Sequence, residues 1–193
     1  MIKLMKTLSI KIIMGCIIIA SFAISSFGQT TTKATKENKK TTKIDKNKVP
    51  KVVTETYIVE YPAVASDSWY GYPMFNDETD WYAYDTDLYT DENPEYYVVE
   101  FSKDGTPYKV VYTKEGRKIS TKRTIMIGEV PKPVADALNK SAYKSWMIKK
   151  EREEIFRDSD KMKVYKVVVE KGTEKHALFY QEDGKLLKDK KRS

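Results

Sequence analysis

Tyr97-Val98-Val99-Glu100-Phe101, Lys103-Asp104-Gly105, Tyr108-Lys109-Val110-Val111-Tyr112, Lys114-Glu115-Gly116 and Arg117-Lys118-Ile119 read in order as strand, turn, strand, tight turn, strand. Apolar residues alternate along the runs, and a glycine stands where the chain must double back. Those are the requirements of an antiparallel meander with one buried face. The pattern is written again 68 residues later, as Tyr165-Lys166-Val167-Val168-Val169, Lys171-Gly172, Ala177-Leu178-Phe179-Tyr180, Glu182-Asp183-Gly184 and Lys185-Leu186-Leu187.

Working upstream from each meander, Val49-Pro50-Lys51-Val52-Val53 and Val130-Pro131-Lys132-Pro133-Val134 open two segments compatible with helices, 81 residues apart. In the second, Val134, Ala137, Leu138 and Ala142 make an apolar stripe at helical spacing, with proline tolerable in the first turn. The first has more β-branched residues and a weaker helix propensity, and stops at Tyr61-Pro62. Between the second helix and its meander, the charged run 149–154 suits a helix by propensity. The alternation of Trp146 and Ile148, and the need for a further strand, select a strand. The expected fold class is therefore α+β: two tandem units, residues 49–129 and 130–193, each a helix on an antiparallel sheet of about four strands. The helical openings repeat at 81 and the meanders at 68, so the first unit carries about thirteen extra residues, within 63–94.

The order of a Val-Pro opening, an aromatic strand, Tyr-x-Val and a final Gly-Lys/Arg-x-Leu/Ile turn resembles the PepSY-like exported proteins of the Bacteroidetes, also described as beta-lactamase-inhibitor-like. The resemblance spans residues 49–187 as two copies, the second the closer. It implies tandem helix-plus-four-strand units like those of beta-lactamase inhibitory protein, an envelope location, and binding or inhibition in place of catalysis. It carries no catalytic residues over to this chain.

The formal charge of +7 is concentrated at the start. Residues 1–28 have the layout of a secretory signal: Lys3, Lys6 and Lys11, an apolar run over 12–24, then Ser26-Phe27-Gly28 before a cut at Gln29. The run is broken by Gly15 and Ser21 and falls short of the roughly 20 residues of a spanning helix, so no membrane span is expected after cleavage. Cys16, the only cysteine, follows Ile13-Met14-Gly15 in the manner of a lipoprotein box. The most apolar residues come after it, where such a box needs them before, so lipidation is not expected. The expected mature chain lacks cysteine, which excludes disulfides and thiolate chemistry. Residues 29–48, rich in Lys and Thr, read as a flexible leader. From residue 52 onward there are 24 basic and 26 acidic residues, so the body is not basic overall. Nucleic acid is disfavoured as a partner.

Residues 52–102 contain no Lys or Arg but twelve Asp or Glu, among many aromatic rings. Stiff aromatic side chains beside carboxylates have the physics of binding hot spots. Trp69, Tyr70, Tyr72, Trp81, Tyr82, Tyr84, Asp85 and Asp87 are the expected partner-binding residues; the bland alternative is that such rings fill the core. Asp85-x-Asp87 with Asp91, Glu92 and Asn93 offers hard oxygen ligands. It does not fit an EF-hand loop, with Thr90 at the sixth position and Tyr96 at the twelfth, and reads first as a solvated acidic loop. No cofactor or metal is expected. His176, the only histidine, has no ligand-spaced partner and reads as a solvent-facing strand residue. The leading expectation is an exported, non-enzymatic module, periplasmic or secreted, that binds a protein or peptide in the envelope. A glycan- or calcium-binding module is the alternative, and a carboxylate-dependent hydrolase a remote one.

Overall fold

The structure, a computed structural model, describes residues 43–74, 76, 78, 79, 81–83 and 93–192. The expected signal, most of the expected leader, and Tyr84, Asp85 and Asp87 lie outside the described residues. Helix α1 (Lys51–Glu60) precedes strands β1 (Asp67–Tyr72), β2 (Tyr96–Lys103), β3 (Thr106–Thr113) and β4 (Lys118–Thr124). A one-turn 3-10 helix (Ile127–Glu129) then leads to α2 (Lys132–Lys140), β5 (Met147–Arg157), β6 (Lys163–Lys171), β7 (Glu174–Gln181) and β8 (Leu186–Arg192). Among the described residues these eight strands form one sheet in chain order, each antiparallel to the next. The α+β fold is as expected, with the two sets of strands joined edge to edge at a β4–β5 seam that pairs Ser120 with Arg157 and Thr124 with Glu153.

Both halves are built around the same tight turn. Gly116 between β3 and β4 has φ +84°, and Gly184 between β7 and β8 has φ +90°, a left-handed region open to glycine at little cost. Space demands glycine as well. A Cβ on Gly184 would lie 2.5 Å from the carbonyl oxygen of Pro133 in α2, and one on Gly116 would lie 3.0 Å from Val52 in α1. Each turn thus presses its helix against the sheet. A bulge precedes each turn, at Val111/Tyr112 and at Phe179/Tyr180.

Directly opposed residues of an antiparallel pair point to the same side. The row Tyr108, Arg123, Glu154, Tyr165, Tyr180 runs through the registers of β3 to β7, so both helices cover the same face. On this helix face α1 buries Val53 and Tyr57 against Trp69, Tyr97, Val99, Phe101, Val110 and Tyr112. Helix α2 buries Val134 and Leu138 against Tyr165, Val167, Val169, Leu178 and Tyr180. The two clusters are separate, and a polar row divides them. Arg123 bonds Glu129 (2.8 Å) and Glu154 (3.1 Å), and the Tyr165 hydroxyl donates to Glu154 (3.1 Å).

Residues 149–154 form part of β5 despite their helix propensity, because the strand completes the seam and pairs with β6 as well. The folded region starts earlier than the expected boundary at residue 49. Ile44 donates its N–H to the carbonyl of Trp69 (2.8 Å), and Asp45 caps a one-turn helix at Lys46–Lys48. Among the described residues no helix is long and apolar enough to cross a membrane.

Candidate functional site

The sheet face opposite the helices, here the far face, carries a single apolar cluster that crosses the seam. It contains Tyr70, Tyr72, Val98 and Val111 from the first half and Ile155, Val164, Val168, Ala177 and Phe179 from the second. Trp81 and Ala83 complete it, and Tyr82 packs against it. Residues 81–83 of the extra segment thus lie over the sheet as a strap. Among the described residues, both seam strands donate hydrogen bonds to this segment. Ser120 Oγ donates to the carbonyl of Trp81 (3.3 Å) and Lys122 Nζ to the carbonyl of Tyr82 (3.2 Å), both from β4. From β5, Arg157 Nη1 donates to the carbonyl of Glu78 (3.2 Å), with the guanidinium 4.8 Å from the centre of the Trp81 ring. Stacking a cation on an indole adds attraction at a partly desolvated site. The Tyr82 ring lies 5.5 Å from that of Phe179, which extends the strap's contact into β7.

This geometry corrects the expected binding surface. Trp69, Tyr70, Tyr72 and Trp81 are 2%, 7%, 1% and 2% exposed, so they are core residues with no area to offer a partner. Alternation along β1 explains three of them. Trp69 points to α1, where its ring meets Tyr57 edge-on at 5.2 Å, while Tyr70 and Tyr72 point to the far face. Tyr82 is half-buried and is the member of the expected set that reaches the surface among the described residues. His176 is also less free than its solvent-facing expectation. Its Nδ1 lies 2.6 Å from Asp189, which accepts a second bond from the Tyr143 hydroxyl at 2.5 Å. A carboxylate only accepts, so Nδ1 carries the proton. The Tyr143 phenol is pushed up to about 12, first by its bond to Asp189 and then by burial. Trp146 packs edge-on to the imidazole at 5.5 Å. This group fastens the α2–β5 connection to β7 and β8. Among the described residues no group of three or more His, Cys, Asp or Glu could hold a metal.

The charged residues beside the strap were not singled out from the sequence. Lys122 lies directly opposite Lys109 on β3 and Ile155 on β5, and it is only 6% exposed. Burial pushes its ammonium down to about 7, and Lys166, Lys109 and Lys190 act in the same direction, against Glu153. Burial works against the charged form of Glu153 too, but Lys166 and Lys122 outweigh it and hold the carboxyl below its ordinary range. Lys166 bonds Glu153 at 3.0 Å, and Lys109 bonds Glu100 at 2.6 Å. Beside this ionic group lies a cleft of about 320 Å³, lined by Ser68, Glu100, Pro107, Lys109, Lys122 and Glu153 among others. A strand lysine facing a lysine reads as an ordinary solvated position in sequence; in the fold it is buried and donates to the strap at the Tyr82 carbonyl.

Solved structures share this architecture. A protein described as periplasmic from Bacteroides eggerthii DSM 20697 matches 74% of this chain and 88% of its own, with 17% identity and a TM-score of 0.57. A DUF2874 family protein from Bacteroides ovatus ATCC 8483 matches 74% and 86%, with 19% identity and a TM-score of 0.57. A BLIP-like protein from Bacteroides fragilis NCTC 9343 matches 72% and 84%, with 20% identity and a TM-score of 0.53. The fold is BLIP-like. No protein-family model and no curated protein matches the sequence. At these identities the likeness concerns the fold, and this BLIP-like sheet with its two helices on one face leaves the strap and cleft as the built feature of the other.

Proposed function

We propose that this chain is an exported, non-enzymatic BLIP-like module that recognises a protein or peptide partner in the cell envelope, with the far-face cleft and the exposed side of Tyr82 as its contact surface. The carrying observation is the strapped far face. A second layer sewn across the seam by Ser120, Lys122 and Arg157 gives a rigid platform, and the cleft beside it is lined by charged and aromatic side chains. Rigid platforms bind well because little order has to be imposed on contact. Export is supported by the signal-like residues 1–28 and by the fold shared with a Bacteroides protein described as periplasmic. A binding role is supported by the fold shared with a BLIP-like protein and by the PepSY-like pattern of the sequence.

Site-specific photo-crosslinking in cell envelopes tests the reading. A photoreactive residue at Pro107, on the cleft rim, is expected to give a discrete adduct. The same residue at Val59, which is 80% exposed on α1, is expected to give none. Adducts from Val59 alone, or from neither position, contradict the proposed surface.

A further inference from the structure

Strand β5 has neighbours on both sides only along its second half. Its register with β4 covers residues 153–157, whereas its register with β6 begins at Met147. Beyond Thr124 the chain makes one more bond to β5, from the N–H of Ile125 to the carbonyl of Arg152 (3.0 Å), and then turns away at Ile127–Glu129. Residues 147–151 therefore form an edge inside the sheet: Met147 and Ile148 pair with Glu170 and Val169 of β6, residues 149–151 bulge out of that register, and the other side faces no strand among the described residues. A bulge between Ile148 and Arg152 shapes this edge, held where Arg152 Nη1 donates to the carbonyl of Lys149 (2.7 Å).

The notch is apolar at its rim. Met147 is 65% and Ile148 37% exposed on β5, and Met126 and Ile127, where the chain departs, are 74% and 55% exposed. Four such side chains around one open edge contrast with the outer edge at β8, where Leu186 alone is a large exposed apolar residue and lysines alternate with Asp189. Natural sheets guard their edges with charge, and β8, with its lysines and Arg192, does so. At the notch the exposed cations Lys144 and Lys150 stand beside apolar surface. Backbone groups that face no strand call for an extended chain, the apolar rim calls for alternate apolar side chains, and the lysines call for acidic ones.

We infer that the notch along residues 147–151 takes an extended segment of the partner protein as an added strand, alternating apolar and acidic side chains. The notch adjoins the cleft, since Thr124 and Glu153 line the one and border the other. The inference rests on the proposed role in binding a protein partner and specifies how that partner is held.

The test uses the full mature chain and a short fluorescent peptide of alternating valine and glutamate, followed by anisotropy and by amide hydrogen exchange. Saturable binding is expected, with slowed exchange in residues 147–151 and unchanged exchange in β8. Lys150→Glu, at an exposed position, is expected to weaken binding about tenfold at low salt. Met147→Gln is expected to weaken it with the fold intact. A valine–lysine peptide, or a valine–glutamate peptide interrupted by prolines, is expected not to bind. Binding without protection of residues 147–151, equal binding of the control peptides, or no binding at all overturns strand addition. Protection of the same amides by self-association overturns the external partner in favour of a second copy. The cross-link from Pro107 decides the wider binding role independently, so strand addition can fail while that role stands.

Discussion

The two faces of the sheet solve the same problem differently. On the helix face, α1 and α2 each close a private cluster, and Arg123, Glu129 and Glu154 form a polar divide between them. On the far face one cluster runs through both halves, closed by a strap bonded to both seam strands. The helix face therefore gives each half an apolar cluster of its own, while the cluster of the far face is shared by both. Side-chain burial on the far face is shared property, so its loss is expected to be felt across the seam.

The largest effect is expected from Trp81→Ala. Removing a buried indole costs about 3–5 kcal/mol in comparable cores, a sizeable part of the 5–15 kcal/mol of a typical domain. Leu138→Ala, in the private α2 cluster, is expected to cost about 2–5 kcal/mol, with denaturant unfolding separating the two by where protection is lost. Gly184→Ala and Gly116→Ala probe the equivalence of the halves. Each forces a left-handed alanine and is expected to cost about 1–3 kcal/mol. Gly184→Ala should be the worse, because its Cβ meets backbone of α2 while that of Gly116 meets the Val52 side chain first. Equal losses in thermal melts would remove that distinction.

Lys122 gives a pH signature to the far face. Its ammonium is pushed from 10.5 to about 7 by burial, so between those values the unfolded chain holds more protons than the folded one. Stability contributed by this group rises with pH across that window. Buried tyrosines such as Tyr165, whose phenols are raised, reverse the trend once unfolded tyrosines ionise near 10, so the clean interval is about pH 7 to 9. Glu153, Lys166, Lys109 and Lys190 act on Lys122 throughout. Wild type should gain stability over this interval and Lys122→Met should not; parallel profiles would contradict the assignment. Arg123→Gln, in the partly exposed polar divide, is expected to cost less than about 1 kcal/mol. Val59→Lys, on the outer side of α1, should change stability by no more than about 0.5 kcal/mol.

The meanders were legible because strand alternation and turn glycines are local properties, and the Pro133-Val134 opening showed α2 for the same reason. Helix α1 was harder to read. Val52, Ile58 and Val59 face outward, so its apolar residues do not mark a single stripe. The binding surface was misread at Trp69, Tyr70, Tyr72 and Trp81 because acidic, aromatic composition describes a hot spot and a strapped core equally well. What separates the two is whether a second layer lies over the far face, and that is a tertiary fact. The same layer meets the buried Lys122 and could not be foreseen from a Thr-Lys-Arg stretch. His176 lacked a visible partner because Tyr143 and Asp189 meet it only through the fold.

The claim that the strap closes a cluster shared by the two helix-and-sheet halves is tested most directly by native-state hydrogen exchange on wild type and Trp81→Ala. The strap's bonds reach Ser120 and Lys122 on one side of the seam and Arg157 on the other. Faster exchange in both β4 and β5 of the variant, with β2 under α1 and β7 under α2 still protected, is the predicted result. Deprotection confined to the first half, with β5 unchanged, would contradict it.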